Sequence, residues 1–241
     1  MIERALIFAA GRGERMRPLS DSIPKPLLRV GGKRLIERHL ENLAAAGVRR
    51  VVINTSHLAD QFPTALGDGS RWNLAIDYSY EGPQPLETGG GMLHALPLLG
   101  SDAFIAVNGD IVCDFAFSTL PQTPVGLAHL VLTDNPAHHP RGDFLLRGAL
   151  VEDDAAGSAG GEKLTFAGIG VYRPELLAGH APGAFSIVPL LRAAMGESRV
   201  SGEHHRGLWA DVGTPQRLAE LDRTLQRKPP MPNSGSGRVG C

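Results

Sequence analysis

Short apolar runs alternate with amphipathic stretches over the first 108 residues, and this alternation restricts the fold more than any other feature of the chain. Arg4 to Ala9 reads as a buried strand, apolar and ended by glycine. Lys33 to Ala46 reads as a helix, with Ile36, Leu40, Leu43 and Ala44 on one stripe and Gly47 as its stop. Val48 to Asn54 is a second strand, Leu58 to Leu66 is helical, and Ala75 to Tyr78 is a third strand. Thr88-Gly89-Gly90-Gly91 precedes a helical run ending near Leu98, and Phe104 to Val107 is a fourth strand. The pattern predicts an α/β fold around an open, mostly parallel sheet. Ligands of such sheets sit beyond the C-terminal ends of the strands. Three glycine- or acid-rich loops fall at that edge: 10–25, 81–91 and 108–114.

The second half is richer in strands. Leu127 to Thr133, Phe144 to Arg147, Leu164 to Tyr172 and Leu208 to Val212 read as strands, and Phe185 to Met195 as a helix. The stretch from Glu152 to Glu162 reads as an exposed hairpin tip. Thr214-Pro215 starts a helix that runs to about Leu225, Thr being the cap and Pro the first helical residue. From Arg227 the Pro, Gly and Ser content predicts disorder. The expected division is a folded domain over 1–225 and a tail over 226–241.

Composition narrows the function classes. In 241 residues, 42% hydrophobic, there is material for one large core. A formal charge of −1 and a pI near 6.8 disfavour a nucleic-acid partner. No apolar run approaches the ~20 residues of a membrane span, and Ala5 to Ala10 is too short for a signal-peptide core. Two cysteines, Cys113 and Cys241, make no disulfide framework, so a reducing, cytoplasmic setting is expected.

The chemistry starts in the loop after the first strand, Ala9-Ala10-Gly11-Arg12-Gly13-Glu14-Arg15-Met16-Arg17-Pro18-Leu19. Glycines let backbone N–H groups approach a phosphate, and arginines supply charge and forked donors. Lys25 follows between Pro24 and Pro26, which fix the backbone and aim the ammonium. The Gly-Lys-Ser/Thr of a P-loop is absent, and Met16 stands where a dinucleotide-binding loop needs its third glycine. An oxidoreductase is therefore disfavoured. His138-His139 and His204-His205 lack a cysteine or third ligand at zinc spacing and read as loop histidines. Trp72 and Trp209 read as packing residues.

The series Gly11-x-Gly13-x-Arg15-x-Arg17-Pro18-Leu19, followed by Pro24-Lys25-Pro26-Leu27, resembles the signature of the sugar nucleotidyltransferases. Glu14-Arg15 and Leu19-Ser20 stand where the family often has Thr-Arg and Leu-Thr, which marks a variant subgroup. Val107-Asn108-Gly109-Asp110, Trp209-Ala210-Asp211-Val212-Gly213-Thr214-Pro215 and Leu86-Glu87-Thr88-Gly89-Gly90-Gly91 extend the resemblance over roughly residues 2 to 225. It implies a single Rossmann-like nucleotidyltransferase domain, with a mixed, mostly parallel central sheet and a small strand-rich sugar-binding part.

The resemblance further implies a nucleoside triphosphate, with UTP expected, and a sugar 1-phosphate as substrates. Asp110 and Asp211 would hold Mg²⁺. Lys25, Arg15 and Asp110 form the catalytic set. Ala10, Gly11, Gly13, Arg15, Glu81, Gly89 and Asn108 are expected on the nucleotide, and Thr88, Asp143 and Glu203 on the sugar. The phosphate nucleophile is already ionised near neutral pH, its second pKa being about 6, so no general base is required. A hexose 1-phosphate guanylyl- or thymidylyltransferase and a non-catalytic nucleotide-sugar sensor are the alternatives. A monomer is expected, because no segment after residue 225 is long enough for an appended domain.

Overall fold

The computed structural model describes residues 1–154 and 161–227. Its strands are β1 (Arg4–Phe8), β2 (Arg29–Val30), β3 (Lys33–Arg34), β4 (Arg50–Thr55), β5 (Ala75–Tyr80), β6 (Phe104–Asn108), β7 (Ile111–Cys113), β8 (Ala128–Thr133), β9 (Phe144–Arg147), β10 (Leu150–Glu152), β11 (Glu162–Tyr172), β12 (Val200–His205) and β13 (Trp209–Asp211). Its helices are α1 (Leu19–Ser22), α2 (Leu35–Ala45), α3 (Gln61–Leu66), α4 (Glu87–Leu99), α5 (Val188–Gly196) and α6 (Pro215–Arg227). None is long and apolar enough to cross a membrane.

A nine-stranded sheet runs in the order β5-β4-β1-β6-β11-β8-β12-β10-β9. The first four of these strands are parallel, as the βα alternation predicts. Beyond them β11 runs antiparallel to both β6 and β8, while β12 lies parallel to β8. A further pairing of β11 with β9 closes β11, β8, β12, β10 and β9 into a ring, the strand-rich part of the chain.

Alternate residues of each strand feed opposite layers. Ala5 and Ile7 of β1 pack with Ile36, Leu40 and Leu43 of α2 and Phe62 of α3. Leu6 packs on the other face with Met92, Ala95 and Leu99 of α4 and Leu191 and Met195 of α5. A third, smaller cluster joins Met16, Leu28, Val30 and Leu35 to Val112, Val212 and Leu221. It fastens the N-terminal loop to the β7–β13 ribbon and to α6.

Several boundaries differ from expectation for local reasons. Lys33 and Arg34 belong to a hairpin with β2, not to the helix, because Gly31 and Gly32 take φ of 54° and 80° and turn the chain back. The helix starts after Arg34, whose N–H donates to Glu37 Oε2 at 2.8 Å. Phe185 precedes α5 because its carbonyl is taken up at the start of α4. Strands β7, β10 and β12 carry no apolar alternation of their own and form through pairing; Gly202 lets β12 lie close, since a Cβ there would sit 2.7 Å from the Leu130 oxygen. The middle of the expected hairpin tip (155–160) and the expected tail from 228 onward lie outside the described residues. Helix α6 continues to Arg227, past the expected end near Leu225.

Candidate active site

The C-terminal ends of β1, β4, β5 and β6 border a cavity of about 880 Å³. Ala10, Gly11, Gly13, Arg15, Lys25, Glu81, Thr88, Asn108 and Asp110 all line it. This size suits a nucleotide-sized ligand.

The loop from Ala9 to Met16 is held from below. Gly13 adopts φ 62° and ψ 37°, a left-handed conformation that a side chain strains, and a 3₁₀ turn follows over Glu14–Met16. The Met16 N–H and the Ser20 hydroxyl both donate to the Gly13 carbonyl at 2.8 Å. Met16 is fully buried in the third cluster, which explains why a methionine replaces the third glycine of a dinucleotide loop. With Met16 turned inward, Arg15 stands exposed at the cavity, and among the described residues its side chain has no ion pair or hydrogen bond. Arg12 donates to the Pro83 carbonyl at 3.0 Å and ties this loop to the 81–86 loop.

Lys25 lies between two buried prolines, and its side chain is 11% exposed. Its ammonium rests on the Asp110 carboxylate. Asp110 occupies the turn between β6 and β7. Gly109 makes that turn possible: its N–H donates to the Phe8 carbonyl at 2.9 Å, and a Cβ would sit 2.7 Å from the same oxygen. The Asp110 carbonyl accepts the Val212 N–H at 2.9 Å, and β7 pairs Ile111 with Asp211. The ribbon thereby brings Asp211, distant in sequence, next to Asp110. Beneath this turn His39 is fully buried and stacked on Phe117 at 6.4 Å. Burial pulls its pKa down to about 4, against the opposing field of Asp110, so the ring is neutral at pH 7.

The opposite wall is a polar network. Asn54, buried at the end of β4, accepts the Ala9 N–H at 2.6 Å and donates to Glu81 Oε1 at 2.6 Å. Glu81 Oε2 accepts the Leu86 N–H at 2.7 Å. Burial raises the Glu81 pKa, and the donors from Leu86 and Asn54 oppose that rise. Glu81 therefore orients the loop that leads to α4.

Not every expected residue reaches the cavity. Gly89 is buried; its N–H and that of Gly90 donate to the Phe185 carbonyl at 2.9 and 3.1 Å, so a main-chain oxygen satisfies the start of α4. Glu87 and Thr88 form the wall there instead, the Thr88 hydroxyl accepting the Ile187 N–H at 3.0 Å. Asp143 is engaged by His139 at 2.9 Å and by the Phe166 N–H at 2.8 Å, beside the irregularity of β11. Glu203 contacts His129 at 3.1 Å. Neither lines the cavity. Asp211 sits just beyond it, its carboxylate held by Arg217 at 2.6 and 2.7 Å and lying 2.9 Å from His138.

The histidine pairs were expected in loops, but His204 and His205 lie in β12. His204 sits between Asp134 at 2.8 Å and Glu162 at 3.2 Å, and the ligand atoms of these three lie within 4.8 Å of one another, close enough to hold an ion. The two acids beside His204 come from elsewhere in the sequence, Asp134 just past β8 and Glu162 at the start of β11. Trp72 and Trp209 do pack against the first core cluster. Asn54, His39 and Arg217 escape the sequence reading, and His138 reads there only as a loop histidine. The signal for Asn54 is faint: a buried apolar strand that turns polar at the ligand-facing edge.

The sequence profile of the nucleotidyl transferase family matches residues 4–133. An N-acetylmuramate alpha-1-phosphate uridylyltransferase of Neisseria meningitidis serogroup B is 50% identical, over 90% of this chain and 96% of its own length. Its counterpart in Caulobacter vibrioides is 37% identical over 92% of this chain and 96% of its own. Among solved structures, the inositol-1-phosphate CTP transferase from T. maritima shares the fold, with a TM-score of 0.73 at 17% identity over 94% of this chain and 97% of that one. With the family profile matching more than half of the chain and relatives at 50% and 37% identity aligned over nearly all of it, the chain belongs to the nucleotidyl transferase family.

Proposed function

We propose that the protein transfers the uridylyl group of UTP to N-acetylmuramate 1-phosphate, releasing pyrophosphate. The observation that carries the chemistry is the convergence of Lys25, Asp110, Arg15 and the glycines of the N-terminal loop on one cavity. The choice of substrates rests on the names of the two relatives aligned over nearly all of this chain.

An ionised phosphate oxygen of the sugar 1-phosphate attacks the α-phosphorus of UTP. A new P–O bond forms, the bond to the oxygen bridging α- and β-phosphorus breaks, and its electron pair leaves with pyrophosphate. No proton has to be removed, so the site needs cations and amides rather than a general base. Arg15 and the backbone amides of Gly11 and Gly13 receive the β- and γ-phosphates. Lys25, aimed by its prolines, meets the charge that grows around the α-phosphorus. Ala10, Asn54 and Glu81 set the wall against which base and ribose rest, and Asn108 flanks the same space. Thr88 faces the cavity on the sugar's account.

Asp110 and Asp211 suit a magnesium ion: they are hard oxygen donors, one in the turn that enters β7 and the other on β13, which pairs with β7, and both already attract cationic side chains, Lys25 on one and Arg217 on the other. When bound, Mg²⁺ would neutralise phosphate charge and draw the two substrates together. Asp110 and Asp211 would hold it, which leaves Lys25 free to turn to phosphate.

Mass spectrometry of a reaction containing UTP and N-acetylmuramate 1-phosphate tests the reading. UDP-N-acetylmuramate and pyrophosphate in equal amounts are expected; UMP or UDP with free sugar phosphate would mean hydrolysis and would refute it.

A further inference from the structure

We infer that Arg217, with His138 beside it, forms a carboxylate subsite by which the protein selects an acidic sugar. This rests on the proposed substrate and deepens it.

Arg217 is the third residue of α6, where a cation opposes the helix dipole. Such a placement is unfavourable unless an anion offsets it. In this structure Asp211 is that anion: Arg217 grips both of its oxygens at 2.6 and 2.7 Å, and His138 Nε2 lies 2.9 Å from one of them and 2.7 Å from the guanidinium. Asp211 is also a proposed ligand of the magnesium ion. Both contacts come from one guanidinium nitrogen, Nη1, and a carboxylate that turns its oxygens to a metal releases it, so substrate loading strands Arg217 and the start of α6 without their anion.

The surroundings leave room for a replacement. Gly213 lines the cavity, and a Cβ there would collide with the Arg217 guanidinium and sit 3.2 Å from Asp211 Oδ2. The missing side chain lets Arg217 reach from the helix to the cavity wall. The location is also the right one. The Glu81–Asn54–Ala9 wall stands at the β5, β4 and β1 end of the sheet edge, and Asp110 follows β6. Arg217 and His138 lie beyond Asp110, on the side of β8, where the sugar end of the bound pair would project. His138 comes from the loop that leaves β8. N-acetylmuramate differs from N-acetylglucosamine by a lactyl ether that ends in a carboxylate. That carboxylate is the replacement anion, and a guanidinium fork is shaped to take it in two parallel bonds.

The test compares N-acetylmuramate 1-phosphate with N-acetylglucosamine 1-phosphate, each with UTP and Mg²⁺, in the wild type, Arg217→Met, Arg217→Lys and His138→Gln. Ratios of kcat/KM are read, together with binding of each sugar phosphate by calorimetry. The preference for the acidic sugar should fall about ten- to a hundredfold in Arg217→Met, the worth of a charge-assisted pair, and should appear in KM and in the binding constant. Arg217→Lys and His138→Gln should lose less, in the same sugar-specific way. If Arg217→Met does not melt as a folded protein, Arg217→Lys is read in its place. A preference that the variants keep, with both sugars weakened alike, overturns the subsite and leaves the proposed function standing. A wild type that uses N-acetylglucosamine 1-phosphate and ignores N-acetylmuramate 1-phosphate overturns both.

Discussion

Replacing Asn54 by alanine should loosen the nucleotide wall and the fold together, by an amount that depends on pH. Asn54 is 2% exposed and makes two bonds of 2.6 Å, one from the Ala9 N–H and one to Glu81. Truncation leaves the Ala9 N–H buried without a partner, which costs about 1–3 kcal/mol, and removes a bond to a carboxylate worth about 1.5–3 kcal/mol. Because Glu81 is only partly buried, its share is discounted, and about 2–4 kcal/mol in total is expected at pH 7. Burial already raises the Glu81 pKa above its ordinary 4.5, so the folded chain binds this proton more readily than the unfolded chain, and stability falls as pH rises through that window. Asn54→Ala removes a group that favours the ionised form and raises the pKa further. The destabilisation should therefore be greater at pH 7 than at pH 4.5. Urea unfolding of both proteins at the two pH values measures it, and the KM for UTP should rise because Ala9 and Ala10 lose their anchor. A loss below 1 kcal/mol at pH 7, or one that is larger at the acid end, would refute the reasoning.

Other perturbations probe other parts of the site. Lys25→Ala and Asp110→Asn should each lower kcat by roughly a hundredfold or more while melting within a few degrees of the wild type, as expected for groups that act on transferring charge; near-normal kcat in either removes that residue from the mechanism. Gly13→Ala forces a side chain into φ 62° and should cost about 1–2 kcal/mol in thermal unfolding, with a raised KM for UTP. An unchanged melt and KM would mean that the loop relaxes freely. A chelator should stop pyrophosphate release and Mg²⁺ should restore it; turnover that persists in excess chelator contradicts the assignment of Asp110 and Asp211.

The parallel half of the sheet was legible because β1, β4 and β6 are short apolar runs and α2 between them carries a periodic stripe. In the ring, β8, β9 and β11 were legible as apolar runs, but β12 (Val200–His205) was not, because it is polar and stands through its ladders with β8 and β10. In the site, the Gly11–Lys25 segment could be read directly, since glycine, arginine and proline-locked lysine announce phosphate chemistry locally. Gly89 reads the same way, yet its amide serves Phe185, a partner 96 positions away that no local pattern reveals. Asp143 and Glu203 were expected on the sugar from the resemblance alone, and no local pattern announces the His139 and His129 that the fold sets against them. Asn54, whose partners Ala9 and Glu81 lie 45 and 27 positions away, carries the weakest local signature.

The most direct test of the central claim is Mg²⁺-dependent pyrophosphate release across a grid of UTP, GTP, dTTP, CTP and ATP against the 1-phosphates of N-acetylmuramate, N-acetylglucosamine, glucose and mannose. The account predicts the highest kcat/KM for UTP with N-acetylmuramate 1-phosphate. No release in any combination, from folded protein that still binds a nucleotide, would contradict it and point to a sensor built on the same fold.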